Sequence, residues 1–341
     1  MPSIHRTGFT TPVVISTLAL FGCATDGAES SNNEPTETAG AAETVDEISL
    51  GYVVDPAWGQ VPVAESLGLF EQAGLEVEIV NFASGADAME ALLGGAVEVV
   101  TAADVPTSAA IVASDEVRIM AQGSSHQNMR IVADTTNDIR QLADLEGRTV
   151  GTALGTSAHF MATTFLDQAD VDAELVQVAP PELQTALDRG DIDAAAIFEP
   201  YATQITQSLG EKAANLQGDP PYMSLVFYNA LASTADQQGD AIARMMSALE
   251  CASTLLQDED PEARAAIGES TGLEGEVLEG VLDGYVYELS SDEGISDALE
   301  ELAHWAQAEG NIDADLALPP FADAIDDRSL DQDAFDFAEC G

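Results

Sequence analysis

The chain has 341 residues, and 10 Lys and Arg against 61 Asp and Glu give a formal net charge of −51 at pH 7. This charge excludes a nucleic-acid-binding protein, because such proteins displace counterions from phosphates with basic patches. A hydrophobic share of 46% excludes a disordered chain, since disorder combines high charge with low hydrophobicity. The length suits one large domain or two of ordinary size.

The acidic residues are spread along the whole chain, and Lys212 is its only lysine. Such a charge destabilises a folded protein through self-repulsion in dilute salt, and concentrated salt screens this repulsion. We therefore expect a protein from a halophilic source; an acidic lineage bias at ordinary salt is the alternative. Because the lone lysine lies in a polar stretch, a cofactor held as a Schiff base is not expected.

The N-terminal residues have the pattern of an export signal. The apolar run from Val13 to Phe21 is too short to cross a membrane but suits the core of a signal peptide. The run leads into Leu20-Phe21-Gly22-Cys23, which resembles the lipobox of bacterial lipoproteins, in which the cysteine carries the lipid. We predict a lipoprotein signal peptide over 1–22 and a flexible tether over 23–46. The alternative is ordinary secretion with cleavage elsewhere.

Two further cysteines, Cys251 and Cys340, remain in the predicted exported chain. An even pair in an oxidising compartment indicates a disulfide, here between the C-terminal tail and a helix. Two unpaired thiols in separate places are the alternative.

The predicted elements alternate between strands and helices. A first series has strands at 48–54, 75–82, 97–101 and 117–121 and helices at 60–70, 85–93 and 106–113. A second has strands at 129–133, 148–152, 174–178 and 192–197 and helices at 156–168 and 182–189. From about residue 238 the apolar spacing predicts helices to the end of the chain. Two α/β series indicate two lobes with a cleft between them.

Several short motifs, in order and over about 150 residues, resemble the substrate-binding proteins of ABC importers in the nitrate, sulfonate and taurine group. The most informative are Asp55-Pro56-Ala57, Gly155-Thr156-Ser157-Ala158-His159, Gly190-Asp191-Ile192-Asp193-Ala194 and Phe198-Glu199-Pro200-Tyr201. The resemblance implies an α/β type-II periplasmic binding fold. Its two lobes carry mostly parallel sheets, and a two-strand hinge joins them. We assign 47–128 plus 228–341 to lobe one and 129–227 to lobe two, with the ligand in the cleft.

Candidate donors to an anionic ligand lie in turns after strands, where ligands of open α/β sheets bind. A helix start offers free N–H groups and positive partial charge, so it holds anions without a basic residue. These starts contribute Ser84 and Gly85, and Thr156 and Ser157, which are also ordinary capping residues. His159 in the same first turn, and Gln127 and Asn128 at the lobe crossover, are further donors, with purely structural roles as the alternative.

Candidate partners for a cationic or apolar part of the ligand follow other strands. Asp55, Asp104 and Glu199 suit an ammonium group, and Glu199 ranks first because it lies in the family's Phe198–Tyr201 motif. A helix cap is the alternative for Asp104, and a solvated charge is the alternative for Glu199. Trp58 offers an apolar face to a methylene chain or a cation, and Tyr201 offers a hydroxyl. Three acids favour a zwitterion such as taurine over nitrate.

No nucleophile elbow, phosphate loop, paired-His helix or Cys-x-x-Cys motif indicates an enzyme. We expect no catalysis, no cofactor and no metal. The resemblance implies a monomeric solute-binding lipoprotein on the periplasmic or extracellular face of the membrane. It would capture taurine or a related aliphatic sulfonate by lobe closure and deliver it to an ABC permease and its ATPase. Alternative ligands are nitrate, a thiamine-pyrimidine precursor or another small organic ion. A pyrimidine-synthesis enzyme on the same fold is a further alternative.

Overall fold

The computed structural model describes residues 45–292, 294–330, 334–337 and 340. The predicted signal peptide, the lipid-carrying Cys23 and the tether up to residue 44 lie outside the described residues. None of the described helices is both long enough and apolar enough to cross a membrane.

The strands follow one another as β1 Asp46–Val53, β2 Leu75–Phe82, β3 Val99–Ala103, β4 Val117–His126, β5 Arg130–Asp134, β6 Thr149–Thr152, β7 Glu174–Gln177, β8 Ala194–Ile197, β9 Ala213–Leu216, β10 Ser224–Leu231 and β11 Tyr285–Ser290. The helices are α1 Gln60–Ser66, α2 Leu69–Gln72, α3 Gly85–Leu93, α4 Asp104–Ala113, α5 Ser157–Gln168, α6 Leu183–Arg189, α7 Tyr201–Leu209, α8 Ala232–Gln257, α9 Pro261–Thr271, α10 Gly275–Leu282 and α11 Gly294–Ala308.

Lobe one is built on a six-stranded sheet in the order β11-β4-β10-β3-β1-β2. β1 runs parallel to β2 and β3, whereas β10 runs antiparallel to β3 and β4, and β11 runs antiparallel to β4. β1 alternates buried and solvent-facing residues at first and is buried from Leu50 to Val53, because helices cover both faces of its central position. Strands β1 to β4 all run in the same direction, because β3 and β4 are both antiparallel to β10, so this sheet is mostly parallel.

Lobe two is built on a five-stranded sheet in the order β7-β6-β8-β5-β9. β6 runs parallel to β7 and β8, while β5 runs antiparallel to β8 and β9. The chain passes from lobe one into lobe two at β5 and returns to lobe one at β10. Each of these two strands is antiparallel to its neighbours. A separate apolar core lies in each lobe, and the core of lobe two includes Ile131, Phe165 and Ile197.

Two segments connect the lobes, 127–129 between β4 and β5 and 217–223 between β9 and β10. The second lies before the predicted boundary at residue 228, because β10 pairs with β4 from Ser224 onward and so belongs to lobe one. Gln217 ties the segments together, since its Nε2 donates to the carbonyls of Gln127 at 3.0 Å and Met129 at 3.2 Å.

Two sequence predictions about elements are wrong. The helix predicted over 60–70 is broken into α1 and α2 at Gly68, which has a φ of +66° and so adopts the left-handed conformation that glycine tolerates. The C-terminal part is not purely helical, because β11 adds an edge strand to the sheet of lobe one. Its buried residues Tyr285 and Tyr287 alternate with exposed neighbours, which is a strand period inside a region with helical apolar spacing.

Helices α8 to α11 otherwise cover lobe one, as the apolar spacing predicts. In the structure Cys251 of α8 and Cys340 of the C-terminal tail form a disulfide, with their Cα atoms 5.2 Å apart. The bond closes a segment of 89 residues that contains α9, α10, α11 and β11.

Candidate functional site

A small enclosed cavity lies between the lobes, at the carboxyl ends of β1, β3, β4, β6 and β8. Its volume is about 20 Å³, roughly enough for a single water molecule. The lining residues are Val53, Asp55, Ala57, Trp58, Gly85, Ala103, Pro106, His126, Met129, Thr156, Ser157, Phe198 and Val226. None of these described residues is a lysine or arginine, so the walls provide no cationic side chain to an anion.

Asp55 is a buried carboxyl group in the cavity wall. Its Oδ1 accepts hydrogen bonds from the backbone N–H of Ala57 at 2.8 Å and from the hydroxyl of Tyr285 at 3.2 Å. Burial raises the pKa of Asp55 to about 8, and the negative charge of Glu199 contributes to the rise. Asp55 is therefore largely protonated near neutral pH, and a cation beside it would favour the ionised form.

Two ring nitrogens in the wall are hydrogen-bond donors. The indole Nε1 of Trp58 is buried and has no hydrogen-bond partner among the described residues. Burial lowers the pKa of His126 to about 3, so its ring is neutral. The Asn128 N–H donates to Nδ1 of His126 at 3.3 Å, which leaves the ring proton on Nε2. Each ring thus carries one N–H in a wall that has no charged donor.

Asp104 lies directly behind the cavity and is 2% exposed. Its Oδ1 accepts from the Ser157 hydroxyl at 2.5 Å and the Val105 N–H at 2.8 Å. Its Oδ2 accepts from the Tyr222 hydroxyl at 2.6 Å and the Leu225 N–H at 2.9 Å. Burial raises the pKa of Asp104, whereas these four donors favour the ionised carboxylate. The carboxylate is therefore fully hydrogen-bonded by the protein itself.

The start of α5 faces the cavity through Thr156 and Ser157, the helix start that sequence reasoning proposed for an anion. The Thr156 hydroxyl donates to the Ala153 carbonyl at 2.7 Å and does not cap the helix. His159 packs edge-on against Trp305 with ring centroids 5.3 Å apart, and its Nδ1 accepts from the Gly155 N–H at 3.4 Å. Burial lowers the pKa of His159, which makes its ring a neutral packing partner.

Glu199 does not offer an uncompensated charge to a ligand. Its carboxylate pairs with Arg130 at 2.7 Å and accepts from the backbone N–H and the hydroxyl of Thr203, each at 3.0 Å. Only 1% of its side chain is exposed. The interpretation of Glu199 as the first partner for an ammonium group therefore needs correction, because Arg130 already balances its charge.

The remaining predicted residues have mixed positions. Gly85 lines the cavity, and Ser84 caps α3 by accepting from the Asp87 N–H at 3.2 Å. Gln127 is exposed, and Asn128 donates to the Val281 carbonyl at 2.9 Å. Tyr201 packs against Phe198 with ring centroids 6.0 Å apart. The fold thus brings Asp55, Trp58, Gly85, Thr156 and Ser157 together around the cavity, with Asp104 bonded to Ser157.

Sequence reasoning missed His126, Tyr222 and Tyr285. His126 ends β4, which is longer than predicted, so a strand-end search with the right boundary would have found it. Tyr222 lies in the second crossover, for which no sequence motif was available. Tyr285 lies in β11, where the apolar spacing of the sequence predicts a helix.

A larger groove of about 1040 Å³ lies on lobe one beside the start of β1 and α8. Its two arginines already pair with carboxylates, Arg244 with Asp46 and Arg328 with Asp236 and Asp326. Among the residues that the structure describes, the groove therefore offers no unpaired cation to a ligand, and the interlobe cavity is the better candidate.

Three comparisons relate the chain to known proteins. The family described as NMT1/THI5 like matches residues 56–263. A putative aliphatic sulfonates-binding protein of Escherichia coli K12 is 26% identical over 227 residues, which are 65% of this chain and 71% of that protein. A protein of the same name from Bacillus subtilis 168 is 23% identical over 273 residues, 77% of this chain and 78% of that protein.

A solved structure also shares the fold. The alkanesulfonate-binding protein SsuA from Xanthomonas axonopodis pv. citri, bound to MOPS, superposes with a TM-score of 0.70 at 21% identity, covering 82% of this chain and 97% of SsuA. This likeness confirms the two-lobed periplasmic binding protein fold that the sequence motifs predict.

Proposed function

Because the chain belongs to the NMT1/THI5-like family, we propose that it is the extracytoplasmic substrate-binding protein of an ABC importer and that it captures taurine or a related aliphatic sulfonate. The names of the bacterial relatives support a sulfonate ligand. Nitrate and a pyrimidine precursor remain the alternative ligands.

One observation carries the assignment to a zwitterion, namely that opposite ligand chemistries meet in the same interlobe cavity. The unpartnered indole N–H of Trp58 and the start of α5 provide donors for sulfonate oxygens. Asp55 provides the carboxylate for an ammonium group, since only its Oδ1 takes part in hydrogen bonds among the described residues. Asp55 thus replaces Glu199 as the first partner for the ammonium group. A plain anion could use Asp55 only in its protonated form and would find no cationic side chain in the walls, whereas an ammonium group pairs with the ionised form.

Capture proceeds by closure of the lobes about the two crossovers. Asp55 and Trp58 belong to lobe one, and Thr156 and Ser157 belong to lobe two. A ligand that bridges these groups stabilises the closed state, because its two ends bind different lobes. The closed protein then docks on a membrane permease, whose ATPase drives import.

Calorimetric titration with taurine and with ethanesulfonate, which lacks the amine, tests the ligand assignment. Removing one partner of a buried charged contact costs about 2–5 kcal/mol, so Asp55→Asn weakens taurine binding roughly 30-fold or more. The same substitution leaves ethanesulfonate binding unchanged or improves it. The exposed Asp138, whose side chain is 91% accessible, provides the matched control Asp138→Asn.

Equal weakening of both ligands by Asp55→Asn would make Asp55 a structural residue. If the unaltered protein binds neither ligand, the sulfonate assignment is wrong, and nitrate and pyrimidines become the ligands to titrate.

We also propose that a lipid on Cys23 anchors the protein to the membrane, on the basis of the apolar run before it. Cys23→Ala then moves the protein from the membrane fraction to the soluble fraction of the native host. Unchanged fractionation contradicts the anchor.

A further inference from the structure

The lobes are joined directly by Asp104, in addition to the two crossovers. Asp104 begins α4 in lobe one, whereas Ser157 begins α5 in lobe two, and their side chains bond at 2.5 Å. Tyr222 in the second crossover and the Leu225 N–H of β10 bond the other carboxylate oxygen. We call Asp104, Ser157, Tyr222 and Leu225 the Asp104 clasp.

The clasp places a carboxylate at the start of α5. No side chain of lobe two caps this helix, since Thr156 bonds Ala153 instead. The positive end of the helix dipole therefore attracts Asp104 from the opposite lobe. Asp104 thus occupies the hydroxyl of Ser157, the first residue of this helix.

Aromatic rings that do not line the cavity pack around the clasp. Phe160 of α5 packs edge-on against Trp305 of α11 and against Tyr222, with ring centroids 4.9 and 5.1 Å apart. Closure of the lobes therefore forms two kinds of contact, the hydrogen bonds of the clasp and the packing of apolar rings from both lobes.

The size of the cavity and the donors in its wall indicate how the lobes must move when a ligand binds. At about 20 Å³ the cavity cannot hold a sulfonate group, so the start of α5 must move away from lobe one for a ligand to enter. The Trp58 indole, 3% exposed and without a hydrogen-bond partner among the described residues, lines the same cavity as Ser157 and is a free donor for an oxyanion there. Two anions on one hydroxyl repel each other, so a sulfonate at Ser157 excludes Asp104.

We propose that Asp104 clasps the lobes together in the ligand-free protein and that the ligand's anionic group displaces it from the start of α5. The clasp itself does not depend on the identity of the ligand, whereas its displacement by an anionic group rests on the proposed function. The clasp lowers the fraction of binding-competent open protein, which weakens the apparent affinity by that fraction. Asp104 thus acts as an internal competitor that sets how readily the cleft accepts an anion.

The two tryptophans of the chain, Trp58 and Trp305, both lie at the lobe boundary and report opening without a label. Asp104→Asn breaks the clasp. The amide keeps one acceptor oxygen, and its nitrogen, which is itself a donor, then faces the backbone N–H of Val105 or of Leu225. Without ligand we expect a roughly twofold higher acrylamide quenching constant and a larger radius of gyration by X-ray scattering, since opening uncovers both indoles. Tyr222→Phe, which keeps the ring against Phe160, moves both readouts in the same direction by less.

Asp138→Asn is the matched control and leaves quenching unchanged; circular dichroism and a cooperative unfolding transition verify that each variant is folded. Ethanesulfonate binds Asp104→Asn about tenfold more tightly than the unaltered protein, because the competitor is gone. Unchanged quenching and radius in folded Asp104→Asn overturn the clasp. Raised quenching without tighter ethanesulfonate binding overturns displacement. Absence of binding to every variant overturns the sulfonate assignment and displacement together, while quenching still decides the clasp.

Discussion

At the scale of single residues, the acid–base chemistry of Asp55 depends strongly on the fold. The folded-state pKa of about 8 compares with 3.8 for an unperturbed aspartate, and burial is the main cause. The folded protein therefore keeps a proton that the unfolded chain loses. This stabilisation is complete below about pH 3.8 and disappears as the pH rises through 8.

The raised pKa of Asp55 therefore predicts that the free energy of unfolding falls between pH 6.5 and 9. Each unit of pKa difference corresponds to about 1.4 kcal/mol, so the slope for one group reaches at most about that value per pH unit. His126, with a pKa of about 3, contributes to the pH dependence below 6.5 and does not interfere in this range. Denaturant titrations should show a shallower fall for Asp55→Asn, with Asp138→Asn as the control. An identical slope in Asp55→Asn would contradict the proton held by Asp55.

Glu199 should act on stability and not on the choice of ligand. Glu199→Gln leaves the guanidinium of Arg130, 15% exposed, without its counter-ion, and breaking a buried pair costs about 3–5 kcal/mol. Asp236→Asn removes one partner of the exposed pair with Arg328 and should cost under about 1 kcal/mol. Chemical denaturation measures both. Unchanged stability together with a selective loss of taurine binding would restore Glu199 as the partner for the ammonium group.

At the scale of elements, the disulfide between α8 and the C-terminal tail is the largest covalent constraint in the described chain. A cross-link over 89 residues stabilises by about 4.6 kcal/mol in the chain-entropy account. Reduction should add two hydrogen atoms to the intact mass and lower the unfolding midpoint. A Cys251→Ser, Cys340→Ser double variant should show the same lower midpoint without reductant, with Asp138→Asn as the control. Equal masses with and without reductant would show that the thiols are not paired.

At the scale of the whole molecule, the charge of −51 dominates solution behaviour. Repulsion between exposed carboxylates is screened within about 10 Å at 0.1 M salt and about 3 Å at 1 M. The thermal unfolding midpoint should therefore climb from low to molar salt, most steeply in the first part of the range, as expected of a halophilic protein. Potassium chloride and sodium chloride should act alike if screening is the cause. A flat or falling midpoint would contradict the halophilic interpretation.

The sequence by itself determined the family, the alternation of strands and helices in both lobes, and the strand ends that carry Asp55, Trp58 and Ser157. These features depend on local signals, namely apolar period, glycine and proline punctuation and motif order, which act over a few residues each. The same signals failed at β11, because a two-residue period in Tyr285 and Tyr287 is too short to outweigh the helical spacing around it.

Only the tertiary structure distinguishes the surroundings of the three acids. Asp55, Asp104 and Glu199 have the same chemistry in the sequence, yet one faces the cavity, one joins the lobes through Ser157 and Tyr222, and one is neutralised by Arg130. Their partners are distant in sequence, since Arg130 and Glu199 are 69 residues apart and Asp104 and Tyr222 are 118 apart. The charge and the hydrogen-bonding capacity left on a carboxylate depend on such long-range neighbours and on burial. No local pattern encodes either quantity, because both arise only when segments distant in sequence pack together, within one lobe for Asp55 and Glu199 and between the lobes for Asp104.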